Sequence, residues 1–599
     1  MAFHAARPNR TRAPGRDGST PGPAAAAAGA VLDSAHVGDI VGALGSIGRH
    51  DSGSRRSPAQ RLRALLVIMG PGLIVMVGDN DAGGVATYAQ AGQDYGMSLL
   101  WTLALLVPVL YVNQEMVVRL GAVTGVGHAR LIFQRFGRFW GMFSVGDLFL
   151  VNALTLVTEF IGVSQALDHF GVPTPVSVPL AAVLLFAVVA GGSFRRWERF
   201  LFALIALNVV MLPMVLLVHP GLGDTAAGIV PQFPGGLDST LLLVIVSIVG
   251  TTVAPWQLFF QQSNVVDKRI TPRWIRYERA DLWIGIAAVT LGAVAIMATA
   301  AFAFRGTDLF GHFTDAGGVV DGLRAHRGRA AGALFALVLF DASLIGANAV
   351  GLATTYTLGD TFRRRHSLHW RVGEAPLFYL GYAALIGLAS VVTLTSDAHV
   401  QGLIVQGVQA LAGVLLPSAT VFLLLLCNDR PVLGPWVNTT RQNVAAGVIV
   451  WILVLLSLAL TATTFFPDIT TTELALGFAA GALLGLVGGV LVMLHMQYTE
   501  QLARMAAFTA RHAKPSVATL AASEVWLMQV QHRDGSPLNR TERRATLEHD
   551  RTTWRTPALE TLPRPAFSAL RKAGLLTLRG YLLLAVVLVG VKTVQTYAG

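Results

Sequence analysis

Long apolar runs alternate along the chain with short polar connections. From residue 64 onward they recur at 64–92, 97–119, 140–168, 173–191, 197–218, 239–263, 281–304, 330–358, 376–395, 400–426, 442–464, 473–496 and 576–596. Most exceed the roughly 18 residues that mark a membrane-crossing helix. The pattern predicts an all-α polytopic membrane protein of up to thirteen spans. The first 57 residues show no sustained apolar period and are expected to be a disordered tail. Residues 497–575 are polar again, and no activity is assigned to them.

Two runs are interrupted. The first, ALLVIMGPGLIVMVGDNDAGGVATYAQAG, places Asp79, Asn80 and Asp81 in mid-membrane and follows them with Ala82, Gly83 and Gly84. Carboxylates in hydrocarbon cost several kcal/mol and mark a function or a partner. The glycines ease unwinding, which frees backbone carbonyls for coordination. The sixth run, STLLLVIVSIVGTTVAPWQLFFQQSN, breaks where Gly250, Thr251 and Thr252 precede Ala254 and Pro255. Proline removes a helix hydrogen bond and clashes with the preceding turn. Breaks in the first and sixth of ten spans predict an inverted five-plus-five repeat with a midplane site between two broken helices. Such a site would draw on Asp81, on Asp79 as a rival ligand, and on the backbone around Ala254. These hard oxygen donors suit Mg²⁺, Mn²⁺ or Ca²⁺.

Composition agrees: 53% hydrophobic and 13% charged residues exclude an ordinary soluble protein. The formal charge of +11 is read as loop arginines rather than a nucleic-acid surface. With the N-terminus inside, Arg130, Arg135 and Arg138, Arg195, Arg196 and Arg199, Lys268 to Arg279, and Arg363 to Arg371 all fall in inside loops. Loop 305–329, with Arg305, Arg324, Arg327 and Arg329, is the dissenter among outside loops. The expected location is the plasma membrane, with a cytoplasmic N-terminus. The sequons at Asn438 and Asn539 would then face the cytoplasm. The lone Cys427 excludes an intrachain disulfide. Asp281 is expected to pair with Arg279 or Arg276, and Glu115 to bond between helices. Asp147 is open between packing and an aqueous vestibule.

On these residues the chain resembles the natural-resistance-associated macrophage protein (Nramp) family of divalent metal transporters, over roughly residues 64–464. GPGLIVMVGDNDAGGVATYAQAG is similar to the family's first helix, with Asp81 on its metal-binding Asp, Gly83 on its Gly and Gln90 on its Gln. QEMVVRLGAVTG (114–125) matches the end of the second helix, Glu159 in TEFIG a third-helix Glu, and Gln409 a tenth-helix Gln near the metal. TTVAPWQLFFQQS resembles the sixth-helix Met-Pro-His motif with Pro255 retained. The departures are Gly84 for the metal-binding Asn, Ala254 for Met, Trp256 for His and Leu156 for a third-helix Asp. Loss of the soft sulfur moves the expected selectivity toward hard ions, as in the Nramp-related magnesium transporters. Loss of the His and Asp removes groups of the family's proton route.

The resemblance implies a leucine-transporter-type fold, with two or three extra C-terminal helices. Its metal set here is Asp81, Asp79, Gly84, Ala254 and Gln409, with Glu159, Trp256 and Pro255 as proton or gating candidates. The metal is substrate, no cofactor is expected, and protons are a candidate second substrate. By domains, 1–57 is the tail, 58–430 a ten-helix core, 431–496 two more spans, 497–575 a cytoplasmic segment and 576–599 a final span. Rival readings are a symporter of an organic cation or amino acid on the same fold, with Trp256 stacking on the substrate, and a metal sensor. A membrane enzyme is not expected, because no nucleophile elbow, Walker loop or His-Glu-x-x-His occurs.

Overall fold

The computed structural model describes residues 29–236, 238–466, 469–512, 551–563, 565, 574–576 and 580. The expected span 576–596, Trp526 to Val530, Asn539 and residues 1–28 of the expected tail lie essentially outside them.

The helices, in chain order, are α1 (Pro58–Ile68), α2 (Pro71–Val77), α3 (Ala82–Tyr95), α4 (Leu100–Thr124), α5 (His128–Phe136), α6 (Arg138–Asp168), α7 (Thr174–Val189), α8 (Phe194–Leu207), α9 (Met211–Leu217) and α10 (Leu222–Ala227). They continue as α11 (Ser239–Thr252), α12 (Pro255–Asp267), α13 (Ile275–Phe304), α14 (Ala316–Arg327), α15 (Arg329–Phe362), α16 (Pro376–Thr395), α17 (Ala398–Cys427), α18 (Arg430–Leu433), α19 (Thr440–Phe465) and α20 (Thr471–His512). Among the described residues, ten spans are long and apolar enough to cross a membrane, eleven with the bent α1–α2 pair counted as one. The protein is therefore a multi-pass membrane protein, and the predicted spans recur within a few residues. The exception at the C-terminal side is α20, which runs past residue 496 to His512 into the stretch expected to be a polar segment.

The first span departs from a single helix with one break. It is interrupted twice, at Met69–Gly70, where α1 and α2 bend by 55°, and again at Gly78–Asp81. Gly70 takes φ +152°, and a Cβ there would strike the Glu198 carboxylate; only glycine fits. Pro71 starts α2 at a position where its missing N–H costs nothing. Asp281 of α13 accepts the freed N–H groups of Gly70 at 3.1 Å, Gly72 at 2.7 Å and Leu73 at 3.3 Å. The expected pairing of Asp281 with Arg279 or Arg276 is thus replaced by a helix cap from a distant element. Residues two apart on a helix do not face one another, and Arg279 turns instead to Glu115, at 2.6 Å.

The expectation of a structureless tail fails for residues 29–57. Ile40–Gly42 (β1) and Gly45–Ile47 (β2) pair antiparallel around a two-residue turn, with Ile40 opposite Ile47. The turn is anchored by groups far along the chain. The Ala43 N–H donates to the Glu198 carboxylate, and Arg195 donates to the carbonyls of Gly42 and Gly45, each at 3.2 Å. Glu198 also pairs with Lys268 at 2.6 Å, and the same ammonium reaches the Met69 carbonyl at 2.7 Å. The hairpin therefore closes over the bend between α1 and α2.

The remaining expectations for polar groups divide. Glu115 bridges α4 and α13 as expected, and Asn152 of α6 donates to Thr354 of α15 at 2.8 Å. Loop arginines 195, 199, 269 and 135 gather at the same end of the bundle as the hairpin, while Arg305 pairs with Asp224 at the opposite end.

Candidate functional site

The two breaks meet in the core. Asp81 caps α3, its Oδ1 accepting the Gly84 N–H at 2.7 Å, an arrangement in which an Asx side chain satisfies a free helix donor. Ala254, in extended conformation (φ −71°, ψ 146°), precedes Pro255, the first residue of α12. Both Asp81 and Ala254 are buried, as are Asp79, Pro255 and Trp256.

The three polar residues of the first break point to different neighbours. Asn80 turns to α13, donating to the Val289 carbonyl at 3.1 Å; it is an anchor. Asp79 accepts a hydrogen bond from Gln257 Nε2, while its Oδ2 has no donor. Asp81 lies beside Glu159 of α6, whose Oε2 accepts the Ala82 N–H at 3.1 Å and whose Oε1 is unpartnered. Gly346 of α15 lets the two carboxylates approach: a Cβ there would lie 2.7 Å from Glu159 Oε2 and 2.8 Å from the Asp81 Cβ.

The place left by the missing side chain of Gly84 is lined by oxygen. A Cβ at Gly84 would lie 2.8 Å from the Asp79 carbonyl oxygen, 3.1 Å from Thr251 Oγ1 and 3.4 Å from Asp81 Oδ1. Thr251 Oγ1 is buried without a hydrogen-bond partner. Its neighbour Thr252 spends its hydroxyl on the Ile248 carbonyl and on Tyr88, at 2.6 and 2.8 Å. Gln409 of α17 lies across Gly83, where a Cβ would fall within 1.7 Å of its Nε2. That amide nitrogen is unpartnered too. Gln409 reaches this position because α11 and α17 cross at Gly250 and Gly413, backbone against backbone.

The structure thus brings Asp79, Asp81, Gly84, Glu159 and Gln409 around the first break. Ala254 sits at the adjacent break, but its carbonyl accepts the Gln257 N–H at 3.2 Å. Trp256 faces Gly78 across the first break, at 3.5 Å from a Cβ there, with its indole nitrogen unpartnered. Gln90 lies further along α3, away from the cluster and near Asp94. Two residues were not assigned to the site from the sequence, although Thr251 was named at the second break. Thr251 was hidden because helix hydroxyls ordinarily bond back to a carbonyl four residues earlier. Gln257 was a visible signal: a polar side chain in the first turn after a break. Among the described residues, no group of three or more His, Cys, Asp or Glu could by itself hold a metal. A cation here would need hydroxyl, amide or carbonyl oxygens as well as the carboxylates.

The model of the family described as natural resistance-associated macrophage protein-like matches residues 72–463. The divalent metal cation transporter MntH 1 of Pseudomonas aeruginosa is 30% identical over 400 residues, covering 63% of this chain and 88% of the relative. The divalent metal cation transporter MntH of Latilactobacillus sakei is 27% identical over 421 residues, covering 66% and 89%. Among solved structures, a manganese transporter of Eremococcus coleocola superposes with TM-score 0.58 at 20% identity, over 78% of this chain and 97% of that one. That likeness bears on the fold, which is the leucine-transporter type implied by the family resemblance.

Proposed function

The chain belongs to the natural resistance-associated macrophage protein-like family, and from that premise we propose that it is a secondary transporter of divalent metal cations working by alternating access. The observation that carries the reading is the pair of buried carboxylates at the first break, Asp79 and Asp81, where Asp79 Oδ2 has no donor and Thr251 Oγ1, beside Gly84, has no partner. A buried carboxylate oxygen without a donor is costly unless a cation or proton reaches it.

In this reading Asp81 is the central ligand and Asp79 the second carboxylate. Gly84 supplies neither an amide nor room for one, so the oxygens beside it, the Asp79 carbonyl and the Thr251 hydroxyl, stand where the family has Asn. Gln409 offers its amide oxygen from α17 after rotation of the amide, and the backbone at Ala254 offers a carbonyl when α12 tilts. Glu159, against Asp81, and Trp256, against Gly78, are gating candidates; Pro255 fixes the break about which α11 and α12 move. The donor set holds no sulfur and favours hard ions of the Mg²⁺ and Mn²⁺ class. The hairpin-bearing face is assigned to the cytoplasm of the plasma membrane, as its arginines suggest. We read the chain as a core of 58–430, two further spans at 431–496, a cytoplasmic segment 497–575 and a final span 576–599.

The test is uptake of Mg²⁺ and Mn²⁺ into proteoliposomes, with and without an inward proton gradient. The expected result is flux of both ions, with Mg²⁺ uptake indifferent to the gradient. Proton-driven Mn²⁺ uptake with Mg²⁺ excluded would overturn the hard-ion reading. Absence of flux for either ion would overturn metal transport itself.

A further inference from the structure

A cleft of about 350 Å³ opens on the hairpin-bearing end of the bundle, between α4, α13 and α19. Its polar end is lined by Glu115 of α4, Arg279 of α13, and Arg441 and Gln442 of α19. Glu115 is already held by two cations, Arg119 at 3.1 Å and Arg279 at 2.6 Å. Arg441 is exposed and, among the described residues, has no acidic partner. Two guanidinium groups therefore hold the one carboxylate and a third, Arg441, lines the same cleft, leaving an excess of positive charge.

The other end of the cleft is apolar and faces lipid. Helical spacing aligns the same sequence of chemistry on each wall. On α19, Arg441 is followed on one face by Ala445, Val448 and Ile452, the last two 54% and 50% exposed. On α4, Glu115 and Val112 give way to Leu105, 59% exposed. On α13, Arg279 is followed one turn later by Trp283, whose ring stacks on Tyr111 at 4.6 Å. A stacked Trp–Tyr pair next to arginines is characteristic of the headgroup level of a bilayer. A cationic head with an apolar groove leading toward the midplane complements one kind of molecule.

We propose that this cleft is a binding site for an anionic phospholipid of the leaflet on the hairpin side, with its phosphate between Arg279 and Arg441 and an acyl chain along Val112 and Val448. Basic pockets between membrane helices recognise such headgroups. The proposal does not rest on the transport reading.

The experiment is thermal unfolding of the full chain in neutral detergent, with added phosphatidylglycerol, phosphatidylcholine or millimolar inorganic phosphate. Phosphatidylglycerol is expected to raise the melting temperature, and the other two to leave it unchanged. Arg441→Glu is expected to lose that shift while melting as the wild type does without lipid. Val112→Trp, which fills the cleft and keeps the charge, is expected to lose it too. Equal stabilisation by phosphatidylcholine, or a shift that survives both substitutions, would overturn the proposal. A shift with phosphate alone would overturn it in favour of a free-anion site.

Discussion

Asp79 at the first break and Asp267 at the end of α12 are both 0% exposed, yet they live in opposite circumstances. Asp267 is saturated with donors. Tyr356 OH reaches it at 2.5 Å, the Leu368 N–H at 3.0 Å, and the Ser367 hydroxyl closer still. Asp33 is treated the same way, accepting from Ala35 and His366 N–H groups at 2.9 and 3.0 Å and from Trp370 Nε1. Asp79 has only Gln257, and Asp79 Oδ2, Glu159 Oε1 and Thr251 Oγ1 have no partner. A buried acid with all its lone pairs satisfied is structure; one with acceptors to spare is waiting for a positive charge. Sequestration alone does not separate the two.

The sharpest way to break the comparison is Asp81→Ala. Metal uptake should fall to the level of protein-free vesicles while the melting temperature stays within a few degrees of wild type. Wild-type flux at matched reconstitution would remove Asp81 as the central ligand. Asp267→Ala should do the reverse: a loss of about 2–4 kcal/mol of stability, from several stranded donors, with the apparent metal KM unchanged. Thermal unfolding alongside flux would separate the two effects, and a raised KM without destabilisation would place Asp267 with the transport acids.

The smallest effect is one of pH at the knot around Asp267. His36 lies 3.7 Å from the Asp267 carboxylate and edge-on to His366, ring centres 5.0 Å apart. Its pKa is lowered to about 4, first by burial and then by His366, with Asp267 and Asp33 opposing. The docked segment thus resists a proton that the undocked segment accepts near 6.5. Its contribution is fully present above pH 6.5 and drains away as pH falls toward 4. Protease cleavage within residues 29–57 should accordingly rise across that window in the wild type, and less steeply in His36→Gln. Identical profiles would clear His36 of the effect.

The spans and both breaks were legible because lipid imposes long apolar runs, against which Asp79, Asp81 and Pro255 stand out. The family motifs located Asp81, Glu159 and Gln409, and the structure gathers them. The second interruption at Gly70 was visible as Gly-Pro-Gly but not its consequence, since the cap that permits it comes from Asp281, more than 200 residues away. The hairpin was illegible for the same reason. Its strands are three residues each and stay folded through Glu198, Arg195 and Lys268, which no local pattern connects to residues 40–47. Thr251 was obscured by the bland habit of its residue type. Local chemistry could be read directly; partnerships across the bundle could not.

The N-terminal segment has a consequence for how the molecule is made. Its partners lie at residues 195–199, 267–269 and 366–370, and the Ala30 N–H bonds the Thr556 carbonyl at 3.1 Å. Residues 35–47 therefore wait, undocked, until residues 195–269 have been inserted, and Ala30 waits until Thr556 has emerged. The segment can dock in stages, from the hairpin back toward its start, and a chain truncated before Thr556 would lack, of these contacts, only the bond at Ala30.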